Sequence, residues 1–223
     1  TTLRTVDSIV SSAIAAEWDY TIYNDFSTDE TTARLQEVAR AGGLTLVNLR
    51  DITAHPSPNY LLVLQTAQRR AIAEPAHLLI VESDVEVARD TMQRLYDYAA
   101  TLEKPGMIAA VTTDSGGNVN FPYLYARRFA TGVIATRKRL SFCCTLLSLP
   151  FLSSFSFDEL HPGKSWYDVS ISRSSRKLGF TNYLVTALPV RHVPHSSRPW
   201  KQLKYTHPWK YWWKKLTENR DKI

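Results

Sequence analysis

The sequence predicts an α/β fold in which helices flank a mostly parallel central sheet. Along the body of the chain, segments with helical periodicity alternate with short apolar runs typical of strands. Acidic residues follow two of those runs, at the strand ends where open α/β sheets bind ligands. The 223 residues, 44% of them hydrophobic, suffice for one domain with an appendage. No apolar run reaches the roughly 20 residues that a membrane span needs.

The front half predicts a regular succession of elements. An amphipathic helix is expected over residues 5–17, with Val6 and Ile9 on its apolar face, followed by a strand over 20–23. Ser27-x-x-Glu30 is a capping-box pattern and predicts a helix reaching about Ala41. The remaining expected elements are a strand over 44–49, a helix over 60–73, a strand over 78–81, a helix over 88–102 and a strand over 107–112.

After Asn118 the alternation weakens. Strands are expected around Gly132, within 123–137, and a helix over 165–178 precedes a strand over 183–193. Cys143 and Cys144 are adjacent, a spacing that rarely permits a disulfide, so they are interpreted as small apolar filling. This cysteine usage favours a reducing, cytoplasmic compartment.

The apolar run 78–81 stops at three acids spaced two apart, Glu82, Asp84 and Glu86. If the strand continued, these carboxylates would point the same way and repel one another. A divalent cation, bound together with a diphosphate, would relieve that repulsion. The alternative is a solvated strand end that leads into a helix N-terminus, where acids are favoured.

Asn24 and Asp25 directly follow the predicted strand over 20–23. A carboxylate there can accept hydrogen bonds from a base or a ribose. The alternative is an ordinary turn, because Asn and Asp favour turns by themselves.

These segments resemble family 2 glycosyltransferases with the GT-A fold. Residues 23–31, YNDFSTDET, are similar to the D-D-x-S-x-D-x-T segment of that family, and residues 79–84, LIVESD, are similar to its D-x-D element. Three later segments resemble further landmarks in the same order: 130–134 (ATGVI), 157–159 (FDE) and 166–168 (WYD). The resemblance covers about residues 5–197.

The resemblance implies a GT-A sandwich over 1–197, with a nucleotide-sugar-binding half over 1–115 and an acceptor half over 116–197. It implies an enzyme that transfers a sugar, with inversion, from a nucleotide-diphosphate sugar to a hydroxyl of a glycan or lipid-linked acceptor. The implied cofactor is Mn²⁺ or Mg²⁺, and the implied place of work is the cytoplasmic side of a membrane.

Carried over by position, Asp168 is the general base that deprotonates the acceptor. Asn24, Asp25 and Ser83 are the expected nucleotide-binding residues. The metal is expected to bind Asp84 together with Glu82 and one histidine, either His195 or His192. The acceptor side is expected to include Gly132 and Trp166.

The sequence also departs from the family pattern. Glu82 replaces the first Asp of D-x-D, and Tyr167 stands where the family usually has Glu. Family members begin with a strand that lines the base pocket, and no residues of this sequence match it.

The basic charge is concentrated in a tail over 198–223, which we expect to contain a helix. From Arg191 onward nine Lys and Arg face two acids, a net of 9 − 2 = +7, so the remainder carries 6 − 7 = −1. Trp200, Trp209, Trp212 and Trp213 lie among these lysines. Tryptophan beside lysine is typical of a membrane-interface segment. The same residues could instead pack on the domain or on a second subunit, and nucleic acid is not expected as a partner.

Two other functions remain open at this point. One is a non-catalytic binding or scaffold module of the same fold at a membrane surface. The other is a sugar-phosphate nucleotidyltransferase, which would need a Gly-rich basic loop after its first strand, and this sequence shows none.

Overall fold

The computed structural model describes residues 1–163, 166–193 and 207–217. The helices are α1 (Thr2–Val10), α2 (Asp29–Gly42), α3 (Tyr60–Ala73), α4 (Thr91–Thr101), α5 (Leu149–Leu152), α6 (Tyr167–Lys177) and α7 (Pro208–Thr217). The strands are β1 (Thr21–Asn24), β2 (Thr45–Asn48), β3 (Leu78–Val81), β4 (Val85–Glu86), β5 (Pro105–Thr113), β6 (Val133–Ala135), β7 (Cys144–Leu147) and β8 (Thr181–His192).

The strands form two sheets. β1 and β2 pair in parallel as a separate ribbon, and the other strands form a sheet in the order β3-β7-β5-β8-β4, with β6 also paired to β8. The α/β class is confirmed, but the expectation of a mostly parallel sheet is wrong for the described strands. Only the β1-β2 and β5-β8 pairings are parallel among them. Parallel neighbours need a long crossover connection, usually a helix, and the chain between β5 and its antiparallel neighbour β7 contains no α-helix.

Strand β5 is the centre of the larger sheet, and its residues alternate between two apolar cores. Met107 and Ala109 face a core that includes Leu64 of α3 and Ile171 of α6. Ile108 faces the opposite core, to which α1 and α4 contribute. The larger sheet therefore lies between α3 and α6 on one face and α1 and α4 on the other.

Several predicted elements are confirmed with small shifts, and α3 and β3 match their predicted bounds. Helix α1 ends at Val10 instead of residue 17, because the peptide N–H groups that would continue it bond elsewhere. Ala13 N donates to the carbonyl of Arg89 at 2.8 Å, and Ala15 N donates to Gln93 Oε1 at 2.7 Å. Helix α4 begins at Thr91 instead of residue 88.

The cap of α2 differs from the predicted one. Thr28, one residue after Ser27, is the N-cap, and its side chain accepts from Thr31 N at 3.3 Å. Gly43 ends the helix in the left-handed conformation, with φ of 65°.

The back half contains the larger errors of prediction. Cys144, interpreted as filling, is the first residue of β7, which lies between β3 and β5. Only β6 is a strand in the region around Gly132, and Leu124–Arg128 is a 3₁₀ helix. Short apolar runs of this kind do not distinguish a buried strand from other buried segments.

In the described part of the chain, no helix combines the length and the apolar character required to cross a bilayer.

Gly106 of β5 offers a test of this packing. A Cβ atom there would lie 2.8 Å from Phe180 Cβ, against the buried Ser175 and Asn182 side chains that bond to each other at 2.7 Å. We expect Gly106→Ala to lower the free energy of unfolding by about 1–3 kcal/mol, since the core must shift to admit the methyl group. Urea titration measures the change.

The matched control is Gly42→Ala at the end of α2, where the nearest contact is the flexible Leu44 side chain at 3.2 Å. It should leave stability unchanged or raise it by roughly 0.5–1 kcal/mol, as alanine does in a helix. Equal losses in both variants would contradict the packing described for β5.

Candidate functional site

A cavity of about 1780 Å³ lies between the facing edges of β1 and β3. All four residues of β3 line it, as do Thr21, Ile22 and Tyr23 of β1. Helix α1 contributes Thr2, Val6 and other residues, and α3 contributes much of the remaining wall. In the described residues β1 pairs only with β2 and β3 only with β7, so no strand lies between the two edges. We call this space the slot.

The start of α3 joins the carboxyl ends of β1 and β3. Asp25, which follows β1, accepts bonds from Asn59 N at 2.9 Å and Asn59 Nδ2 at 2.8 Å. The next residue, Tyr60, places its hydroxyl close enough to Glu82, which follows β3, for that carboxylate to affect its pKa. Both strands therefore end at the first turn of α3.

The end of α3 lies beside the start of β1. Arg70 contacts Asp19 at 2.7 Å and donates to Thr21 Oγ1 at 2.6 Å. The chain then reaches β3 within a few residues of the helix end. β1 and β3 thus run in the same direction along the slot, and the acidic residues that follow them line it at one end.

Asn24 and Asp25 serve internal hydrogen bonds. Asn24 is buried, and its amide donates to Thr32 Oγ1 and to Asn48 Oδ1, both at 2.9 Å. Asp25 lines the slot, but its two carboxylate oxygens accept from Asn59 and from Ser57 Oγ at 2.8 Å. These bonds hold the loop before α3 in place, and they occupy groups that the sequence assigns to a nucleotide.

The three acids after β3 diverge, because the extended backbone ends in a turn. Val85 N donates to the Glu82 carbonyl at 3.1 Å, which closes that turn. Glu86 then points to a different partner, Arg191, at 2.9 Å. The expectation that all three carboxylates point the same way is wrong for Glu86, since strand alternation is broken at Ser83.

Asp84 and His192 form the central pair of the site. Asp84 Oδ2 lies 3.5 Å from His192 Nε2; the His192 side chain is buried and that of Asp84 is 11% exposed. The backbone holds them together, because His192 is opposite Val85 in the β4-β8 pairing and Val193 N donates to the Asp84 carbonyl at 2.9 Å. The structure therefore brings together two residues that the sequence assigns to a metal.

His192 is held in one orientation by its other ring nitrogen. Nδ1 lies 2.7 Å from the Phe121 carbonyl and must carry a hydrogen to bond there. In the neutral ring, Nε2 then presents its lone pair toward Asp84. Burial by itself would lower the pKa of His192, but the Asp84 carboxylate and the Phe121 carbonyl outweigh it and raise the pKa.

Glu82 enters the interior beside a thiol. Cys143 Sγ donates to Glu82 Oε2 at 3.3 Å. Burial, and then the nearby Asp84 charge, raise the pKa of Glu82, and burial raises the pKa of the Cys143 thiol well above its usual range. Burial thus disfavours the charged form of both groups, whereas Asp84 faces His192 instead of a thiol.

No pattern in the sequence predicts Tyr60 as a residue of this site. Its hydroxyl is buried and has no hydrogen-bond partner among the described residues. Burial, and then the charges of Glu82 and Asp168, raise its pKa well above the usual range. A neutral phenol is thus held beside the acidic residues, with a proton to donate.

Asp168 lies in the first turn of α6, at the other side of these acids. Its Oδ1 accepts from Val169 N at 2.9 Å, and Arg139 lies 3.4 Å from its Oδ2. The Arg139 guanidinium also stacks over the Trp166 ring at 5.1 Å. Asp168 is near enough to Glu82 to contribute to the raised pKa of that residue. Arg139, for which no sequence pattern predicts a role, therefore lies beside the predicted base.

The other predicted residues lie in different places. Ser83 is exposed and lines the slot beside Glu82 and Asp84. Gly132 precedes β6 at the far edge of the sheet, where its carbonyl accepts from Thr186 N at 2.8 Å, and it does not line the slot. His195 lies outside the described residues.

The described residues include no group of three or more His, Cys, Asp or Glu side chains arranged to hold a metal ion. Asp84 and His192 supply two donors of the kinds that Mn²⁺ accepts, and the second-nitrogen bond of His192 is the usual support of a ligating imidazole. Two protein donors fit a cation whose remaining positions are filled by water and substrate phosphate. They do not form an all-protein metal cage.

Comparison with known proteins identifies the fold of this chain. No family model matches the sequence, and no curated protein matches it. The structure is similar to that of GalNAc-T7 with UDP, GalNAc and Mn²⁺, with a TM-score of 0.63 and 14% identity, over 88% of this chain and 42% of that one.

Two further solved structures are similar. A mannosyltransferase from Pyrobaculum calidifontis, in complex with GDP-Man and Mn²⁺, gives a TM-score of 0.61 and 16% identity, over 96% of this chain and 60% of that one. Glucosyl-3-phosphoglycerate synthase from Mycobacterium tuberculosis, in complex with phosphoglyceric acid, gives a TM-score of 0.54 and 19% identity, over 89% of this chain and 70% of that one. The present chain thus spans less than two thirds of the first two, and its fold is that of the GT-A glycosyltransferases.

The raised pKa of Glu82 generates a prediction about stability. The native protein holds this proton more tightly than the unfolded chain does, so the contribution of Glu82 is fully present below its unfolded pKa and is lost as pH rises through its folded pKa. Glutamine mimics the protonated form. We therefore expect Glu82→Gln to be more stable than the native sequence at pH 8, with a smaller difference at pH 4, in thermal unfolding.

Glu86→Gln is the control, since Glu86 is a neighbouring acid whose partner, Arg191, is partly exposed. Its difference from the native sequence should not grow with pH in the same way. A Glu82→Gln difference that is the same at pH 4 and pH 8 would contradict the burial of a charged Glu82.

Proposed function

We propose that this protein is a metal-dependent inverting glycosyltransferase that takes a sugar from a nucleotide-diphosphate donor. The observation that supports this most directly is the pairing of Asp84 with His192 at the end of β3, in a chain with the GT-A fold. Glu82, Asp168 and Tyr60 lie within electrostatic reach of one another beside that pair.

The donor would bind at the acidic end of the slot. Ser83 is exposed there and offers a hydroxyl, while the Asp25 carboxylate maintains the loop that forms the adjacent wall. Two of the similar structures contain UDP or GDP-Man with Mn²⁺, which supports a nucleoside diphosphate and a divalent cation as the bound pair. The base of the nucleotide is left to experiment.

Asp84 and His192 would hold the cation, which when bound neutralises charge on the diphosphate leaving group. The Phe121 carbonyl keeps the imidazole in the tautomer that directs a lone pair toward Asp84. Glu82, whose Oε2 accepts the Cys143 thiol hydrogen bond and whose charged form is disfavoured by burial, would leave Asp84 as the main carboxylate ligand.

Asp168 would act as the general base. The acceptor hydroxyl gives its proton to the Asp168 carboxylate while its oxygen forms a bond to the anomeric carbon, and the bond from that carbon to the diphosphate oxygen breaks on the opposite face. Arg139 fixes the carboxylate from one side, and the Trp166 ring supports Arg139. The Tyr60 hydroxyl would donate to a substrate oxygen in the same space.

The acceptor is proposed to be a glycan or a lipid-linked glycan handled at the inner face of a membrane. The second candidate function is a nucleotide-binding or scaffold module without catalysis. The observation that favours it is that the described residues hold no three-ligand metal group. Metal-dependent nucleotide binding and transfer separate the two.

Nucleotide titration tests the proposed metal site. Calorimetry with UDP, GDP and dTDP should show one nucleoside diphosphate that binds with Mn²⁺ and loses most of its affinity in EDTA. Asp84→Ala and His192→Ala should each weaken Mn²⁺-dependent binding by about tenfold or more, since each removes a ligand. Glu86→Gln, which alters a neighbouring acid outside the pair, should bind as the native protein does.

Binding that is equal with Mn²⁺ and with EDTA would contradict the metal site. No binding of any of the three nucleotides by a folded full-length protein would contradict the transferase proposal itself.

Asp168→Asn tests the base separately. The variant should bind the nucleotide normally and lose about 10²–10⁴-fold in kcat, because the amide cannot accept the acceptor proton. Donor consumption in the presence of an acceptor panel measures kcat, with thermal unfolding as the control for folding. Full activity in Asp168→Asn would exclude it as the base.

A further inference from the structure

Helix α7 carries an apolar stripe that the rest of the fold does not use. Trp209, Trp213 and Leu216 are 89%, 70% and 75% exposed. Their spacing of four and three residues places them on one face of the helix, and Trp212, 53% exposed, extends that face. At about 100° per residue the stripe covers roughly 100° of the helix surface.

The opposite face of α7 contacts the protein. Tyr211 is only 5% exposed, and on the helical wheel it lies about 150° from the centre of the stripe. The stripe therefore lies on the solvent-exposed face of α7, opposite the buried Tyr211. Exposed single apolar residues are common, but three tryptophans grouped on one face of a ten-residue helix are not.

The charge on α7 indicates the kind of partner. Its sequence contains three lysines, Lys210, Lys214 and Lys215, and no acid. On the helical wheel, Lys210, which is exposed, and Lys214 lie along one edge of the stripe. Tryptophan rings at headgroup depth with lysines at the border are the arrangement of a helix that lies in an anionic membrane interface.

The same charges argue against the two other partners. Two copies of α7 packed stripe to stripe would bring six lysines together without an acid on either helix, and like charges repel. A single-stranded nucleic acid would need cations and ring faces along one shared groove. In α7 such a groove is short: Trp209, Lys210, Trp213 and Lys214 line it, and residues 1–190 carry a net charge of 6 − 7 = −1, so no basic track continues from it.

We infer that α7 docks the protein on an anionic lipid bilayer, with Trp209, Trp213 and Leu216 inserted among the headgroups. This goes beyond the proposed transfer reaction and does not depend on it. α7 would then hold the protein at a membrane surface as a peripheral helix.

The full 223-residue chain would be tested by sedimentation with vesicles of phosphatidylcholine alone and with about 30% phosphatidylglycerol, at about 0.15 M salt. We expect partition into the anionic vesicles to exceed that into the neutral ones by about tenfold or more. Trp209→Ala/Trp213→Ala should weaken binding to the anionic vesicles by at least about tenfold, because the inserted rings are lost.

Two variants control this result. Ile52→Ala removes an apolar side chain that is 59% exposed on the body and should bind as the native chain does. Lys210→Glu should reduce the preference for anionic vesicles while the Trp209 and Trp213 rings remain. Because these side chains are exposed, thermal unfolding should be unchanged in all three variants.

Equal partition into neutral and anionic vesicles, or unchanged binding in Trp209→Ala/Trp213→Ala, would overturn the inference. So would a dimer in sedimentation velocity that dissociates in that variant, since the stripe would then be a protein interface. Binding to single-stranded oligonucleotides without binding to vesicles would likewise overturn it. Membrane docking can be tested even if the protein fails to bind nucleotide, because the vesicle measurements do not use the donor.

Discussion

The parallel pairing of β5 with β8 is the constraint on which the site depends. β8 is twelve residues long, pairs along its length with the central strand β5, and ends at His192. The β4-β8 pairing then sets Val85 opposite His192, so the residue before Val85, Asp84, meets the imidazole. A slip of one residue in either pairing would turn His192 to the other face and separate the pair.

The second constraint is the cost of burying acids. Charged carboxylates in a low-dielectric interior are expensive unless they are paired, bonded or neutral. The protein uses a different solution for each: Asp84 faces His192, Glu82 accepts a thiol hydrogen bond, and Asp168 lies beside Arg139. The unpartnered Tyr60 hydroxyl adds a donor to the same volume. Groups poised in this way suit a ligand that brings its own charge, as a diphosphate with a cation does.

The slot and the acidic site are two ends of one feature. α3 joins the carboxyl ends of β1 and β3 through Asn59 and Tyr60, and it approaches the start of β1 through Arg70. Apolar strand residues line the middle of the slot, with Asp19 and Arg70 at the end where β1 begins and the acidic site at the end where both strands stop. Any ligand at this end therefore contacts side chains from two separate sheets, whose relative position α3 maintains.

The sequence by itself determined the α/β class, the bounds of α3 and β3, and the acids that follow β1 and β3, because periodicity and strand-end chemistry are local properties. It did not determine β7, the antiparallel pairings or the true end of α1, which depend on hydrogen bonds between residues far apart in the chain. Tertiary structure alone decided which acids meet. Glu86 pairs with Arg191, and Asp84 pairs with His192. Tyr60 and Arg139 lie at the site. Asn24 and Asp25 bond to internal partners. The physical reason is that the residues next to a carboxylate in the sequence do not determine its partner. The packing of strands and helices that are distant in the sequence does.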